Sequence, residues 1–305
     1  MQGLSFATSA KKYLMTVLKT PVRIFKLNNK MRVGIAVLSI IFLIVIFEPV
    51  INGFLLEGRH PLSVGSFKPL LPPSQEHFLG TDILGRDVLG EVLHGLRYSF
   101  SIGIIAGTIS TAIGIIVALM AGYKGGIYDT ILRTATDMML VIPMWPIMAT
   151  LAAYLRFMSI YTMALLLAVF TWPWAARTIR SQVMSLKERP YIDLAKTTDL
   201  RDIEITFEEI LPNVLPYLGA GFATAVVGAI IAETALEMVG LGPGNIQTLG
   251  TLIQWAINFG AVVMGNWLIL AAPILFLVLV FISFNLINIG LDEAYNPRLK
   301  KITGL

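Results

Sequence analysis

The 305-residue sequence contains no cysteine. Disulfide frameworks, thiolate nucleophiles and cysteine-ligated metal centres are therefore excluded. Histidine is scarce too: His60, His77 and His94 lie 17 residues apart in one polar stretch. A metal site would need further ligands converging on them, so they read as loop or surface residues. Charge is the third shortage. Asp, Glu, Lys and Arg supply 14% of the chain and hydrophobic residues 56%, whereas a soluble domain carries about 25% charge. With a mean hydropathy of +0.76, there is too little polar surface to coat a water-soluble enzyme. Intrinsic disorder is excluded by the same numbers.

What remains is an all-α polytopic membrane protein. Six uncharged runs approach the ~20 residues that span a bilayer. They cover 33–47 (extendable past Glu48-Pro49 toward 56), 98–123, 138–155, 159–176, 214–232 and 266–291. The third is interrupted by Pro143 and Pro146, the fourth ends near Pro173, and the sixth contains Pro273. The first run begins too late for a signal peptide and no small-residue cleavage site follows it, so it reads as a retained span. The 244–291 stretch carries no charge, yet one helix cannot use all of it. The part from Gln247 to Phe259 is expected to be an external amphipathic or re-entrant segment with Trp255 at the interface.

The basic residues are sorted. In a six-span arrangement, eighteen of the twenty-three Lys and Arg fall on one side. The positive-inside rule puts that side, with both termini and the 177–213 loop, in the cytoplasm. The net charge of +4 is thus topological and does not imply nucleic acid. The expected organisation is a cytoplasmic tail 1–32, a first span 33–56, an external loop 57–97 and a five-helix core 98–292. A cytoplasmic tail 293–305 follows, and the core carries a polar loop 186–213 and an external segment 237–265.

The polar loop is the most informative segment. Pro190 suits a helix start, and Tyr191, Leu194, Ala195 and Thr198 recur at helical spacing. Asp199 is expected to cap a second helix carrying Leu200, Ile203, Phe207 and Ile210 on one face, before Leu211-Pro212-Asn213 enters the fifth span. Helix, turn, helix of this polarity either rests on the membrane as a solvated connector or docks into another protein.

This loop resembles the EAA coupling motif of ABC importer permeases. Asp193, Leu194 and Ala195 take the E-A-A places, Asp199 the Gly place, and Ile210, Leu211 and Pro212 close the pattern. The external run His77-Phe-Leu-Gly-Thr-Asp-Ile-Leu-Gly-Arg-Asp87 is similar to a motif of the second, C-type permease of dipeptide, oligopeptide and nickel importers. So are Ala121 to Asp129 followed by Arg133 and Asp137, Glu233 to Gly242, Phe284-Asn285-Leu286 and Asn296-Pro297-Arg298-Leu299. The likeness runs from about residue 30 to 300. Departures include Asp199 for Gly, Asp193 for Glu, Leu194 for Ala and Glu237 for Ser. A Cβ at a left-handed position usually costs ~1 kcal/mol, so altered packing of the coupling contact is expected.

The resemblance implies a type I ABC importer permease fold that binds no cofactor itself. ATP and Mg belong to two partner ATPase subunits, consistent with the lack of a G-x-x-x-x-G-K-[ST] phosphate loop here. It also implies a second homologous permease, an external solute-binding protein and a peptide cargo, with oligosaccharide or nickel as alternatives. Tyr191, Asp193, Leu194, Ala195, Asp199, Ile210, Leu211 and Pro212 are the expected ATPase-coupling residues, with Tyr191, Leu194 and Ala195 as an apolar knob. Asp82, Arg86, Asp87 and Arg97 either form ion pairs fixing a loop-to-helix entry or touch the binding protein. Trp145, Trp172 and Glu233 are candidates for the pathway or its gate. An ion-coupled carrier would prefer several ionisable groups in mid-span, and a membrane enzyme would need a metal or nucleophile motif; the sequence offers neither.

Overall fold

The structure is a computed structural model describing residues 28–155, 159–197, 200–244 and 246–295. Ten α-helices are present among these residues: α1 (Asn29–Leu55), α2 (Val88–Leu119), α3 (Gly126–Val141), α4 (Met144–Tyr154) and α5 (Ile160–Lys187). There follow α6 (Pro190–Thr197), α7 (Asp202–Ile205), α8 (Leu211–Met238), α9 (Leu249–Asn258) and α10 (Leu268–Tyr295). Single π-helical turns extend α2 through Met120–Lys124 and join α7 to α8 through Thr206–Ile210. By length and apolarity α1, α2, α5, α8 and α10 can each cross a membrane, and α3 with α4, bent by 83° at their junction, passes the same test only as a pair, as a broken span or a re-entrant loop.

Local sequence explains most of the boundaries. Asn28 starts α1 by accepting the N–H groups of Lys30 and Met31 at 2.9 and 3.2 Å. Ser159 and Thr162 cap α5 reciprocally, and Thr248 and Thr251 do the same for α9. Pro143 removes a backbone donor where α3 ends and α4 begins. The expected third span of 138–155 is therefore only half right: its first part belongs to a helix already running from Gly126.

Two other expectations on length are corrected. The second span starts at Val88, ten residues before 98, because Asp87 caps it by accepting the N–H of Gly90 at 2.9 Å. The fourth continues to Lys187 and carries Arg177 and Arg180 within its helix. Pro212 occupies the first turn of α8, where a missing donor costs nothing.

Helix contacts are made close by small residues, as in other helical membrane proteins. A Cβ on Gly107 of α2 would sit 2.5 Å from Val226 Cγ2 of α8, and one on Gly114 would sit 2.7 Å from Ala175 Cβ of α5. Three apolar clusters result. One joins α1, α2, α8, α9 and α10 around Phe100, Val226 and Val280. A second joins α2, α4, α5 and α8 around Ile102, Met148 and Leu167. The third lies at the α6–α7 end, around Val183, Ile192, Ile205, Ile210 and Val214.

Candidate functional site: a polar helix pair, a buried ion network and a cavity

Helix α6 has two unlike faces. Ile192 is fully buried and Ala195 is 8% exposed, both packed into the third cluster. Leu194 is 67% exposed and Tyr191 38%. The sequence grouped Tyr191, Leu194 and Ala195 as one knob; the structure turns Ala195 inward and leaves Tyr191 and Leu194 outward. Asp193 is exposed and pairs with Lys196 at 2.9 Å. Burial, with Glu209 nearby, pushes the Tyr191 hydroxyl up, against the opposing pull of Arg189.

Asp199 lies outside the described residues. The residue that caps α7 is Arg201, whose backbone N–H donates to Glu204 Oε2 at 2.8 Å while its Nη2 donates to Oε1 at 2.9 Å. The Arg201 side chain and backbone hold the Glu204 carboxyl below its ordinary value. Ile210 is fully buried and Leu211 and Pro212 are half-buried, whereas Ile203 and Phe207 project into solvent. The pair of short helices is fastened to the bundle by Tyr123, whose hydroxyl donates to Asp202 Oδ1 at 2.9 Å. Lys187 Nζ donates to the Tyr123 carbonyl.

At the other end, Asp82, Arg86 and Asp87 are buried. Asp82 Oδ1 accepts the N–H groups of Leu84 and Arg86 at 2.9 and 2.8 Å, and its Oδ2 accepts Arg86 Nε and Nη2 at 2.8 and 2.6 Å. Arg86 also meets Glu91 Oε1 at 2.9 Å and lies 4.7 Å from the ring centroid of Trp255 on α9. Asp87 pairs with His77 at 2.8 Å. Arg97 is partly exposed and donates to Glu48 of α1 at 2.8 Å, beside His94 at 3.0 Å.

Sequence reasoning missed Glu48, Glu91, His94 and Gln247, which complete this network; Gln247 Nε2 donates to Glu91 Oε1 at 3.1 Å. The available signal was an unexplained acid, Glu48, beside Pro49 in the first apolar run.

A cavity of about 540 Å³ opens between α4, α5, α8 and α10. Trp145 lines it. Trp172 does not line it; Trp174 does, with Thr171 and Thr178 on the same face of α5 and Tyr217 and Thr224 from α8. Thr171-x2-Trp174-x3-Thr178 was a legible helical stripe. Glu233 is fully buried away from the cavity, accepting the Ser99 hydroxyl at 2.9 Å. Ser99 in turn accepts the N–H of Leu249 at 3.1 Å, so this acid ties α8 to α2 and α9. Among the described residues no cluster of three or more His, Asp or Glu is arranged to hold a metal ion.

A bundle of apolar spans around a cavity, with a polar helix pair at one end, is the architecture of a membrane permease. Residues 111–301 match the family described as binding-protein-dependent transport system inner membrane component, and the chain belongs to that family. It is 30% identical over 299 residues to a dipeptide transport system permease protein of Bacillus subtilis, covering 97% of this chain and 90% of that one. It is 34% identical over 273 residues to an oligopeptide transport system permease protein of Mycobacterium tuberculosis, covering 88% and 91%. Against a dipeptide transport system permease protein of Haemophilus influenzae the figures are 32% over 294 residues, 93% and 97%. The chain is thus a C-type permease of the ABC peptide importer family.

Proposed function

We propose that this permease forms half of an import pathway for a peptide-like solute. A second homologous permease supplies the other half, and an external binding protein delivers the cargo. Two cytoplasmic ATPase subunits bind ATP and Mg and load the chain through α6 and α7. The single observation that carries the coupling role is the two-faced α6: Ile192 and Ala195 anchor it to the bundle, while Leu194 projects outward from a charged segment beside Tyr191, which is 38% exposed and whose hydroxyl accepts Asn213 Nδ2 at 3.4 Å. An exposed apolar pair on a rigid helix is a surface for a partner's groove.

The cavity beside Trp145 and Trp174 is the pathway segment of this half. Its position supports that reading, since α5 and α8 wall the cavity and both meet the α6–α7 end. Asp82, Arg86 and Asp87 act as an internal brace; their burial leaves Arg97 and the exposed loop residues as the surface available to a binding protein.

The test is Leu194→Asp in the assembled transporter. ATPase co-purification and uptake of a labelled dipeptide are expected to fall at least tenfold, the equivalent of about 1.4 kcal/mol, with the thermal midpoint unchanged. Intact assembly and uptake would sink the coupling role. Because the chain lacks cysteine, Leu194→Cys also reports topology: a membrane-impermeant maleimide is expected to label it only after the cytoplasmic side is opened.

A further inference from the structure

A second cavity, of about 310 Å³, lies between α3, α5 and the end of α2. Its polar wall is Arg133, Arg177, Arg180 and Asp137. Arg180 is occupied, donating to both carboxylate oxygens of Asp129 at 2.5 and 2.6 Å. Arg133 sits 3.5 Å from Asp137. Arg177 has no ion pair or hydrogen-bond partner among the described residues. Three guanidinium groups against two carboxylates leave one positive charge, and it resides on Arg177.

The cavity is placed at a membrane boundary. Arg177 and Arg180 lie 17 and 20 residues after Ile160, or about 26 and 30 Å along a helix rising 1.5 Å per residue. The hydrocarbon core is about 30 Å thick, so both arginines stand where the apolar region of α5 ends. The cavity is turned from the Trp174–Thr178 stripe of the same helix: at about 100° per residue Ala176 points nearly opposite to both, Arg180 stands about 120° from Trp174 and about 160° from Thr178, and Arg177 lies at the border between the two faces. The stripe that carries Arg180 and Ala176 continues along α5 as Val169 and Leu165, which are exposed, and Ile116 and Met120 are exposed on neighbouring α2.

We propose that this cavity holds the phosphate of an anionic phospholipid, with the acyl chains lying along the exposed stripe of α5 and α2. A phosphodiester matches the guanidinium fork of Arg177, and basic pockets between spans at the cytoplasmic side recognise anionic headgroups. The apolar approach separates a lipid from a free phosphate ion, which would make no use of Leu165 and Val169. The inference uses the importer reading only for the leaflet, which is the cytoplasmic one.

The test reconstitutes the full chain, with its co-purifying subunits, in nanodiscs of equal phosphatidylcholine and phosphatidylglycerol. Native mass spectrometry then reads the lipid retained. The wild type is expected to retain phosphatidylglycerol in excess of its share. Arg177→Gln is expected to lower that excess about fivefold, the effect of one arginine near an anionic surface. Arg201→Gln, outside the cavity, leaves it unchanged. Inorganic phosphate added in the millimolar range leaves the lipid in place. Retention at the bulk ratio, an unchanged excess in Arg177→Gln, an equal drop in Arg201→Gln, or displacement by phosphate each overturns the proposal. Uptake and ATPase binding through Leu194 are read separately, so failure here is distinct from failure of the importer reading.

Discussion

Replacing Arg86 by Met is the sharpest test of the external network. Its side chain is 5% exposed, that of Asp82 5% and that of Glu91 1%, so solvent screens these charges little. Removing one partner of such a buried pair costs about 3–5 kcal/mol, because the remaining charge is stranded. The two acids are not stranded equally. Asp82 keeps the N–H groups of Leu84 and residue 86, whereas Glu91 keeps only Gln247. Most of the penalty therefore belongs to Glu91. The thermal midpoint of the purified protein is expected to fall on the order of 10 °C. Adding Glu91→Gln should recover more than half of that loss, a coupling of about 2 kcal/mol in a double-mutant cycle. Additive losses, or a single variant within 1 kcal/mol of wild type, would refute the network as the brace of this end.

Ala195→Asp is expected to lose ATPase binding and, unlike Leu194→Asp, also to release α6 from the bundle, seen as rapid protease cleavage within 186–213, because it buries a charge among Ile192, Ile205 and Ile210. Gly107→Val forces side-chain atoms into Val226 and should destabilise by about 1–3 kcal/mol, measured by thermal unfolding. The Glu204 carboxyl is held below its ordinary value, so its contribution to the start of α7 is present above the usual carboxylate range and lost as pH falls through the lowered value. Hydrogen-exchange protection at 202–206, corrected for the slower intrinsic exchange at low pH, should fall on acidification in wild type and already be low at neutral pH in Glu204→Gln.

Spans were legible where apolar runs are uninterrupted, as in α1 and α10. The start of α2 was not, because Glu91, His94 and Arg97 look like loop residues until their partners are known. Those partners, Glu48, Arg86 and Gln247, come from three other segments, and no local pattern announces them. The same limit explains Ala195. Periodicity placed it beside Tyr191 and Leu194, but a short helix can turn either edge inward, and Ile192 decided which. Trp172 and Trp174 differ by about 200° around a helix, so choosing between them needed the neighbouring Thr171 and Thr178.

The buried network also constrains how the protein is made. Glu48 on α1 is answered by His94 and Arg97 on α2, so neither helix is comfortable in lipid alone, and the two should leave the insertion machinery as a pair. Glu91 waits longer: Gln247 lies 156 residues downstream, a delay on the order of ten seconds at ordinary synthesis rates. Through that interval Arg86 is its single neutralising partner, which makes one arginine a temporary chaperone of the nascent chain as well as a brace of the finished one.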